Sequence, residues 1–333
     1  MKGVVELVVA SGKGGVGKST IAAALAVHLA GRGYRLAAAD ADAEAPNLHI
    51  VLGVEGWDEE EPYREGRVAY ILDDKCTQCG VCAEVCPYGA VEVRGGRHWI
   101  NPWICEGCIT CSAACPVKAI RYRFNVQAGW IRLARSTGHG FPLVSGEILP
   151  GRPNSGKIVT EIKNRAKALL GGEGVLLVDA AAGIGCQVIS SLTGAQLALL
   201  VVEPTPASLS DLRRVHRLAK HFGLASMIAV NKYDINPDML GEIEEYAESE
   251  GVPILGRIPY DEAVPRAIAA GRPVTLHSPG SPAARAIEEL AERIASEVLP
   301  EWRRWWAKYR PRRPEPYIPV ILHPNRGVGG GGG

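Results

Sequence analysis

Eight of the nine cysteines form two runs with the same internal spacing. Each run reads C-x₂-C-x₂-C-x₃-C-P, and each cysteine of the second run follows its counterpart by 29 residues, which indicates an internal duplication. The runs are Cys76, Cys79, Cys82 and Cys86, then Cys105, Cys108, Cys111 and Cys115. Three closely spaced thiolates can hold one iron–sulfur cubane, so the spacing predicts two [4Fe–4S] clusters.

The fourth cysteine of each run decides how the ligands pair. In two-cluster bacterial ferredoxins it binds the cluster of the other run. That pattern predicts one cluster on Cys76, Cys79, Cys82 and Cys115, and the other on Cys105, Cys108, Cys111 and Cys86. Between the runs, Ala90–Ile100 reads as a hairpin that turns at Gly95–Gly96. Zinc is the alternative metal, but its sites generally use CxxC pairs separated by a longer spacer.

A glycine-rich loop near the N-terminus has the residue types that bind phosphate. It matches G-x₄-G-K-[ST] between an apolar run and an alanine-rich stretch, which read as a strand and a helix. Its residues are Gly12, Lys13, Gly14, Gly15, Val16, Gly17, Lys18, Ser19 and Thr20. Backbone N–H groups converge on phosphate in such a loop, while Lys18 reaches the β- and γ-phosphates and Ser19 binds Mg²⁺. The sequence thus predicts ATP and Mg²⁺ as ligands, with an ordinary glycine-rich turn as the alternative.

The segment KGGVGKST resembles the deviant Walker A loop of the MinD/Mrp/nitrogenase-iron-protein ATPases. In that family the early lysine reaches the ATP of a partner subunit. The resemblance therefore implies this role for Lys13, ATP hydrolysis, and a homodimer with ATP at its interface. Taken with the cysteine runs, residues 1–295 resemble MinD-superfamily P-loop ATPases that carry an inserted ferredoxin domain.

Three aspartates stand at the ends of apolar runs that read as strands. Asp40 and Asp42 follow the second run and Asp179 ends a later one, at the edge where open α/β sheets bind ligands. By resemblance, Asp42 lies beside the attacking water. The implied Mg²⁺ ligands are Ser19, Asp40 and Asp179, and the implied catalytic residues are Lys13, Lys18, Asp42 and Asp179. For each aspartate the alternative is a cap or a solvated strand end.

Other positions are assigned by resemblance alone. Asn231, Lys232 and Pro259 are similar to the adenine-contacting positions of the family. The family follows its equivalent of Asp179 with a Pro-Pro-Gly turn, whereas this chain has three alanines, so the second switch departs from the pattern. Cys186 has the spacing of a cysteine that helps to hold a shared cluster in the nitrogenase iron protein. The favoured interpretation of Cys186 is a small buried cysteine.

The elements that position these residues alternate between strand and helix. Predicted strands are Val4–Ala10, Arg35–Asp40, Val175–Asp179, Leu197–Val202, Met227–Asn231 and Ile254–Ile258, and predicted helices are Ser19–Ala30, Lys157–Leu170, Ser208–Phe222, Pro237–Ser249 and Ala283–Leu299. This rhythm predicts an α/β fold with a mostly parallel sheet flanked by helices, interrupted by an α+β ferredoxin-like module. The predicted domains are residues 1–66 and 126–298 for the ATPase, 67–125 for the module, and 299–333 for a basic, aromatic helix end and a loose Gly/Pro-rich tail.

Composition narrows the classes of function. A net charge of +1 predicts no global attraction to nucleic acid. No apolar run reaches the roughly 20 residues that span a bilayer, and no export signal is evident, so we expect a cytoplasmic protein whose cysteines bind metal. Near the C-terminus, Trp302, Trp305, Trp306 and Tyr309 form a stripe at helical spacing, opposite basic residues. We favour packing of this stripe on the protein's own core over contact with a membrane surface.

Three functions compete at this stage. The first is an ATP-driven dimer switch coupled to electron transfer, which needs a redox partner protein. The second is an iron–sulfur carrier of the Mrp type, which needs a cluster acceptor; Mrp-type carriers use a labile CxxC pair near the C-terminus, and no CxxC follows Cys115 here. The third, a MinD-like positioning ATPase, leaves the cysteine runs unexplained. The sequence favours the first.

Overall fold

The computed structural model describes residues 3–152 and 156–311. The strands in these ranges are β1 (Val4–Ser11), β2 (Leu36–Ala41), β3 (Glu59–Ile71), β4 (Val91–Arg94), β5 (Arg97–Ile100), β6 (Ile120–Ala134), β7 (Leu143–Ile148), β8 (Gly174–Ala182), β9 (Leu197–Val202), β10 (Ala225–Asn231) and β11 (Ile254–Ile258). The α-helices are α1 (Lys18–Gly31), α2 (Leu48–Val51), α3 (Val81–Glu84), α4 (Thr110–Ala114), α5 (Lys157–Leu169), α6 (Cys186–Leu192), α7 (Pro206–Phe222), α8 (Pro237–Ser249), α9 (Ala263–Ala269), α10 (Val274–His277), α11 (Pro282–Arg293) and α12 (Trp302–Tyr309).

A nine-stranded sheet in the order β11-β10-β9-β1-β8-β2-β7-β6-β3 organises the chain. All neighbouring strands from β11 to β7 are parallel, while β6 and β3 join antiparallel at one edge. The central strands are buried along nearly their whole length, as expected for a parallel sheet that is covered on both faces. The predicted fold class, a mostly parallel sheet flanked by helices, is confirmed.

Helices cover the sheet on both faces and create two apolar cores. One core packs α1 and α11 against side chains such as Leu7 and Leu177, and the other packs α5, α7 and α8 against side chains such as Val8 and Val178. Alternate residues of β1 and β8 serve opposite cores, because successive strand side chains point to opposite faces. The carboxyl ends of the parallel strands are thereby held rigidly together.

The cysteine runs lie in a module at the edge of the sheet, which we call the cysteine module (residues 67–125). Its stem is the hairpin of β3 and β6, whose pairing extends from Glu59↔Leu133 to Ile71↔Ile120 with one shift of register between Tyr63 and Arg64. The predicted boundaries at residues 67 and 125 therefore fall inside these two long strands. Sequence reasoning missed the strands β3, β6 and β7, because β3 is a charged, largely exposed edge strand without an apolar run.

The two repeats of the cysteine module share a backbone conformation. Three positions have positive φ in both repeats, namely Gln78 and Gly107, Gly80 and Ile109, and Gly89 and Lys118, each pair 29 residues apart. The hairpin between the runs is formed by β4 and β5 with its turn at residues 95–96, as the sequence predicts. The matching left-handed positions agree with an internal duplication.

The aromatic stripe of α12 packs on the protein's own core, which is the interpretation that the sequence favoured. Trp302, Trp305, Trp306 and Tyr309 are half-buried against the core that contains α1 and α11, while the basic residues between them are exposed. The indole N–H of Trp306 donates to the carbonyl of Gly223 at 2.9 Å. None of the described helices is long and apolar enough to cross a bilayer. Most of the predicted tail, from residue 312 onward, lies outside the described residues.

Candidate nucleotide site and paired cysteine sites

The phosphate loop connects β1 to α1 at the carboxyl edge of the sheet. Gly15 and Gly17 adopt φ values of 78° and 96°, which other residues rarely take. A Cβ on Gly17 would lie 2.4 Å from the side-chain nitrogen of Asn231, which donates to the carbonyl of Val16 at 2.8 Å. Lys18 is buried as the first residue of α1. Asn231, predicted to contact adenine, thus braces the loop in this structure.

The two other lysines near the loop share one acidic partner that sequence reasoning missed. The ammonium of Lys13 lies 3.1 Å from one carboxylate oxygen of Glu203, and the ammonium of Lys232 lies 3.2 Å from the other. Burial raises the pKa of Glu203, but hydrogen bonds from both lysines outweigh it and leave the pKa below its ordinary value. Glu203 therefore stays ionised and holds Lys13 against its own chain.

Asp40 and Asp179 lie opposite each other on the neighbouring strands β2 and β8. Both side chains are fully buried, but their environments differ. Asp40 accepts hydrogen bonds from the backbone N–H of Leu48 at 3.0 Å and of Asp42 at 3.4 Å. Neither carboxylate oxygen of Asp179 has a hydrogen-bond partner within bonding geometry among the described residues. Burial and the nearby charge of Asp179 raise the pKa of Asp40 well above its usual range.

The environment of Asp179 fits a cation ligand. Burial raises the pKa of Asp179 to about 6, although the hydroxyl of Ser19 and the ammonium of Lys18 lie close enough to lower it. A buried carboxylate without partners is costly unless a cation or hydrogen-bond donor compensates it. Oxygen ligands of this kind suit Mg²⁺, and Ser19 lies at the start of the adjacent helix. Asp40, whose oxygens already accept two backbone bonds, is less available as a direct ligand.

The backbone of Ala43, in the loop after β2, forms hydrogen bonds to both α6 and β7. Its N–H donates to the side-chain oxygen of Gln187 on α6 at 3.0 Å, and its carbonyl accepts from the N–H of Ile148 at the end of β7 at 2.8 Å. Asp42, the predicted partner of the attacking water, is the preceding residue and is half-buried. Sequence reasoning missed Gln187, because a contact over 144 residues leaves no local signal.

The other predicted adenine contacts lie at adjacent strand ends. Asn231 ends β10 and pairs with Ile258 at the end of β11, which places Lys232 and Pro259 one residue beyond each strand. Lys232 has a positive φ of 53°, and its ammonium points to Glu203. The structure brings these positions together near the phosphate loop, and their role toward adenine remains a prediction.

Two cavities in the cysteine module each collect four cysteines, three from one run and one from the other. The first cysteine site is lined by Cys76, Cys79, Cys82 and Cys115, and the second cysteine site by Cys105, Cys108, Cys111 and Cys86. The same two groups of four cysteines are predicted from the spacing, and their role as metal ligands remains a prediction. Among the described residues, no three His, Cys, Asp or Glu side chains converge on a point that one metal ion could occupy.

The walls of both cavities fit an iron–sulfur cluster. They are mainly apolar, with Ile71 and Ile120 at the first site and Val91 and Ile100 at the second. Backbone N–H groups donate to cysteine sulfurs, as in Ala119 to Cys115 and Ala90 to Cys86, both at 3.3 Å, and Ala69 to Cys105 at 3.4 Å. Such bonds favour the thiolate form that binds iron.

The cysteine module also contacts the loop that follows β7 of the nine-stranded sheet. The guanidinium of Arg152 stacks over Trp103 at 5.1 Å from the ring centre and donates to the carbonyl of Pro102 at 2.9 Å. A Cβ on Gly151 would lie 2.2 Å from the carbonyl oxygen of Trp103, so only glycine fits there. Trp103 is two residues from Cys105. The second cysteine site is thus braced by a loop that begins at Ile148.

Cys186 is exposed at the first position of α6, so its interpretation as a small buried cysteine is wrong. The preceding residues lack the packing that would bury it, since Ala182, Ile184 and Gly185 are themselves exposed. Cys186 lines neither of the two cysteine cavities.

Comparisons with known proteins identify the family and the fold of the chain. The profile described as the CobQ/CobB/MinD/ParA nucleotide binding domain matches residues 7–274. A protein of Methanocaldococcus jannaschii described as uncharacterized is 33% identical over 298 residues, which is 87% of this chain and 96% of that protein. An iron–sulfur cluster carrier protein of Pyrococcus horikoshii is 28% identical over 306 residues, with 88% and 86% of the two chains covered. The septum site-determining protein MinD of Pyrococcus horikoshii, solved with Mg-ADP, is 20% identical with a TM-score of 0.55 over 89% of this chain and 97% of that one, which shows the shared fold.

Proposed function

The chain belongs to the CobQ/CobB/MinD/ParA nucleotide-binding family and is a P-loop ATPase of the MinD/ParA type, and we propose that it couples its nucleotide state to electron transfer through two [4Fe–4S] clusters. The observation that carries the proposal is the exchange of the fourth cysteine. Each cavity takes three cysteines from one run and one from the other, as in two-cluster ferredoxins. A bound [4Fe–4S] cluster accepts and releases single electrons.

The nucleotide half of the proposal rests on the phosphate loop and Asp179. The converging backbone of residues 12–19 receives the phosphates, Lys18 neutralises them, and Ser19 with Asp179 holds Mg²⁺. The orphaned carboxylate oxygens of Asp179 support this assignment, because Mg²⁺ would supply the positive charge that they lack.

A homodimer completes the proposed site. Lys13 is the exposed lysine of the phosphate loop, with 43% of its side chain accessible, and Glu203 holds it in its own subunit. For Lys13 to reach a partner's ATP, its ion pair with Glu203 must open. Formation of the dimer would then exchange one carboxylate partner for the phosphates of the partner subunit.

The contacts of Ala43 and Arg152 support coupling between the two halves. The loop of Asp42 and Ala43 binds Ile148, and the loop that follows Ile148 packs on Trp103 beside the second cysteine site. A nucleotide that binds two arrangements of the Asp42–Ala43 loop with different affinity would also shift the position of the loop that follows Ile148.

Cluster transfer is the second candidate function, and the resemblance to an iron–sulfur cluster carrier protein favours it. In that case the clusters are cargo and must leave the cysteine module. Burial of Cys82 and the N–H···S bonds at both sites support retention instead, because each adds to the cost of releasing iron.

The test is EPR spectroscopy of anaerobically purified, dithionite-reduced protein with and without Mg-ATP. We expect about eight iron per chain, two interacting clusters, and a spectral change on addition of nucleotide. Cys115→Ser should perturb the cluster on Cys76, Cys79 and Cys82, while Cys186→Ser, a matched control outside the cysteine module, should leave iron content unchanged. Protein that contains zinc and no iron would refute the proposal. Transfer of iron to an apo-ferredoxin on addition of ATP would favour the carrier function.

A further inference from the structure

At the second cysteine site, two donors contact cysteine sulfurs, and the described residues show no equivalent hydrogen bonds to sulfur at the first site. The side-chain oxygen of Thr110 lies 3.4 Å from the sulfur of Cys108, and the N–H of Ala69 donates to Cys105. A cysteine that binds iron is deprotonated, so only the hydroxyl of Thr110 can donate in that pair.

The internal duplication identifies the equivalent position at the first cysteine site. Residue 81 lies 29 residues before Thr110 and is valine, which has the same shape but carries a methyl group in place of the hydroxyl. Val81 lines the first site as Thr110 lines the second. The backbone bonds from Ala119 to Cys115 and from Ala90 to Cys86 are themselves 29 residues apart, so they cancel in a comparison of the two sites.

Charged groups near the sites do not reverse this difference. Arg67 donates to the carbonyl of Gly107 at the second site, where Glu106 also lines the cavity. Both side chains are exposed and opposite in charge, so their effects are screened and partly cancel. At the first site His98 contacts the side chain of Gln78, the counterpart of Gly107. The hydrogen bonds to sulfur therefore remain as the systematic difference.

On this basis we propose that Thr110 and the N–H of Ala69 give the second cysteine site the higher reduction potential of the two. The inference rests on the proposed function, since it requires both sites to hold [4Fe–4S] clusters. Reduction adds one negative charge, and donors that point at the sulfurs stabilise the more negative state. The first electron supplied by a chemical reductant then resides at the second site, which is the site that Arg152 braces against the ATPase sheet.

The duplication supplies a reciprocal pair of variants. Thr110→Val removes the hydroxyl while keeping the shape, Val81→Thr adds it at the equivalent position, and Thr110→Ser retains it. Anaerobic redox titration followed by EPR measures both midpoint potentials in the full-length protein. We expect Thr110→Val to lower the higher of the two midpoint potentials. The equilibrium constant for reduction of that cluster should fall by up to tenfold, which corresponds to 59 mV for a one-electron couple. Thr110→Ser should preserve that potential, and Val81→Thr should raise the lower one.

Two results would overturn the inference. One is a shift of the lower potential by Thr110→Val, which would make the second site the low-potential site. The other is an unchanged pair of potentials in Thr110→Val and Val81→Thr protein with full iron content. Absence of iron from the wild-type protein is a different outcome, which refutes the proposed function and leaves no potentials to compare.

Discussion

Replacement of Asp179 by asparagine should stabilise the nucleotide-free protein while abolishing its response to Mg²⁺ and nucleotide. The carboxylate is fully buried and both oxygens lack partners, and burial raises its pKa from an ordinary 3.8 to about 6. At 1.36 kcal/mol per pH unit, this rise corresponds to about 3 kcal/mol of destabilisation when the group is ionised. Asparagine has nearly the same shape and carries no charge.

The effect has a defined dependence on pH. The pKa of Asp179 is higher in the folded than in the unfolded protein, so protonation of this group favours folding. The destabilisation by ionised Asp179 is therefore absent below pH 4, grows between pH 4 and about 6, and is complete above pH 6. The difference in stability between variant and wild type should follow this course, because titrating groups that do not interact with Asp179 cancel in the difference. Loss of the Asp179 charge also lowers the pKa of buried Asp40, which adds to the gain of the variant. Asp42→Asn is the matched control, since Asp42 is only half-buried and should give a smaller gain.

Thermal denaturation at pH 7.5 without Mg²⁺ or nucleotide, followed by the same measurement with Mg-ADP, provides the assay. Since about 1 kcal/mol moves the melting temperature of a 150–250-residue domain by about 2–4 °C, the variant should melt roughly 6 °C or more above the wild type. Mg-ADP should raise the melting temperature of the wild type alone. A variant that is no more stable than the wild type at pH 7.5, or whose advantage persists at pH 4, would refute the argument from burial.

Three further outcomes are expected. Arg152→Ala should retain iron and ATPase activity but lose the effect of Mg-ATP on the EPR spectrum, because it removes the contact with Trp103. An unchanged effect of Mg-ATP would show that this contact does not couple the two sites. Ile109→Gly should stabilise the cysteine module by about 1 kcal/mol, because a β-branched residue is strained at a φ of 70°. The gain should appear as a higher denaturant midpoint for loss of cluster absorbance, and equal midpoints would show that Ile109 is not strained. Trp306→Phe should cost about 1 kcal/mol in urea unfolding through loss of its bond to Gly223, and a neutral result would contradict that value.

Elements with strong local signals could be predicted closely from the sequence. The strands Leu197–Val202 and Ile254–Ile258 and the helix Pro237–Ser249 have the predicted bounds. Apolar runs mark the strands, and Asn236 caps the helix by accepting from the N–H of Met239, with proline at the next position. The cysteine spacing likewise predicted which four cysteines line each cavity.

Features that depend on distant parts of the chain could not be predicted. Glu203 lies 190 residues from Lys13, and Arg152 lies 50 residues from the carbonyl that it binds, so neither pair leaves a periodic or spacing signal. The edge strands were missed for a different reason. Residues 59–61 are three consecutive glutamates followed by proline, a composition that protects an exposed sheet edge and conceals the strand from propensity arguments.

The stem of the cysteine module offers a place to separate the nucleotide site from the two cysteine sites by protein engineering. Glu65 and Val126 face each other across β3 and β6, with the ribbon on the ATPase side of them already anchored to β7. Joining these two residues through an Asn-Gly turn would excise residues 66–125, which contain all eight cysteines of the two runs, and close the remaining strands as an ordinary hairpin. The shortened chain would keep every residue of the phosphate loop, Asp42 and Asp179, so ATP hydrolysis could be measured in the absence of the cysteine sites.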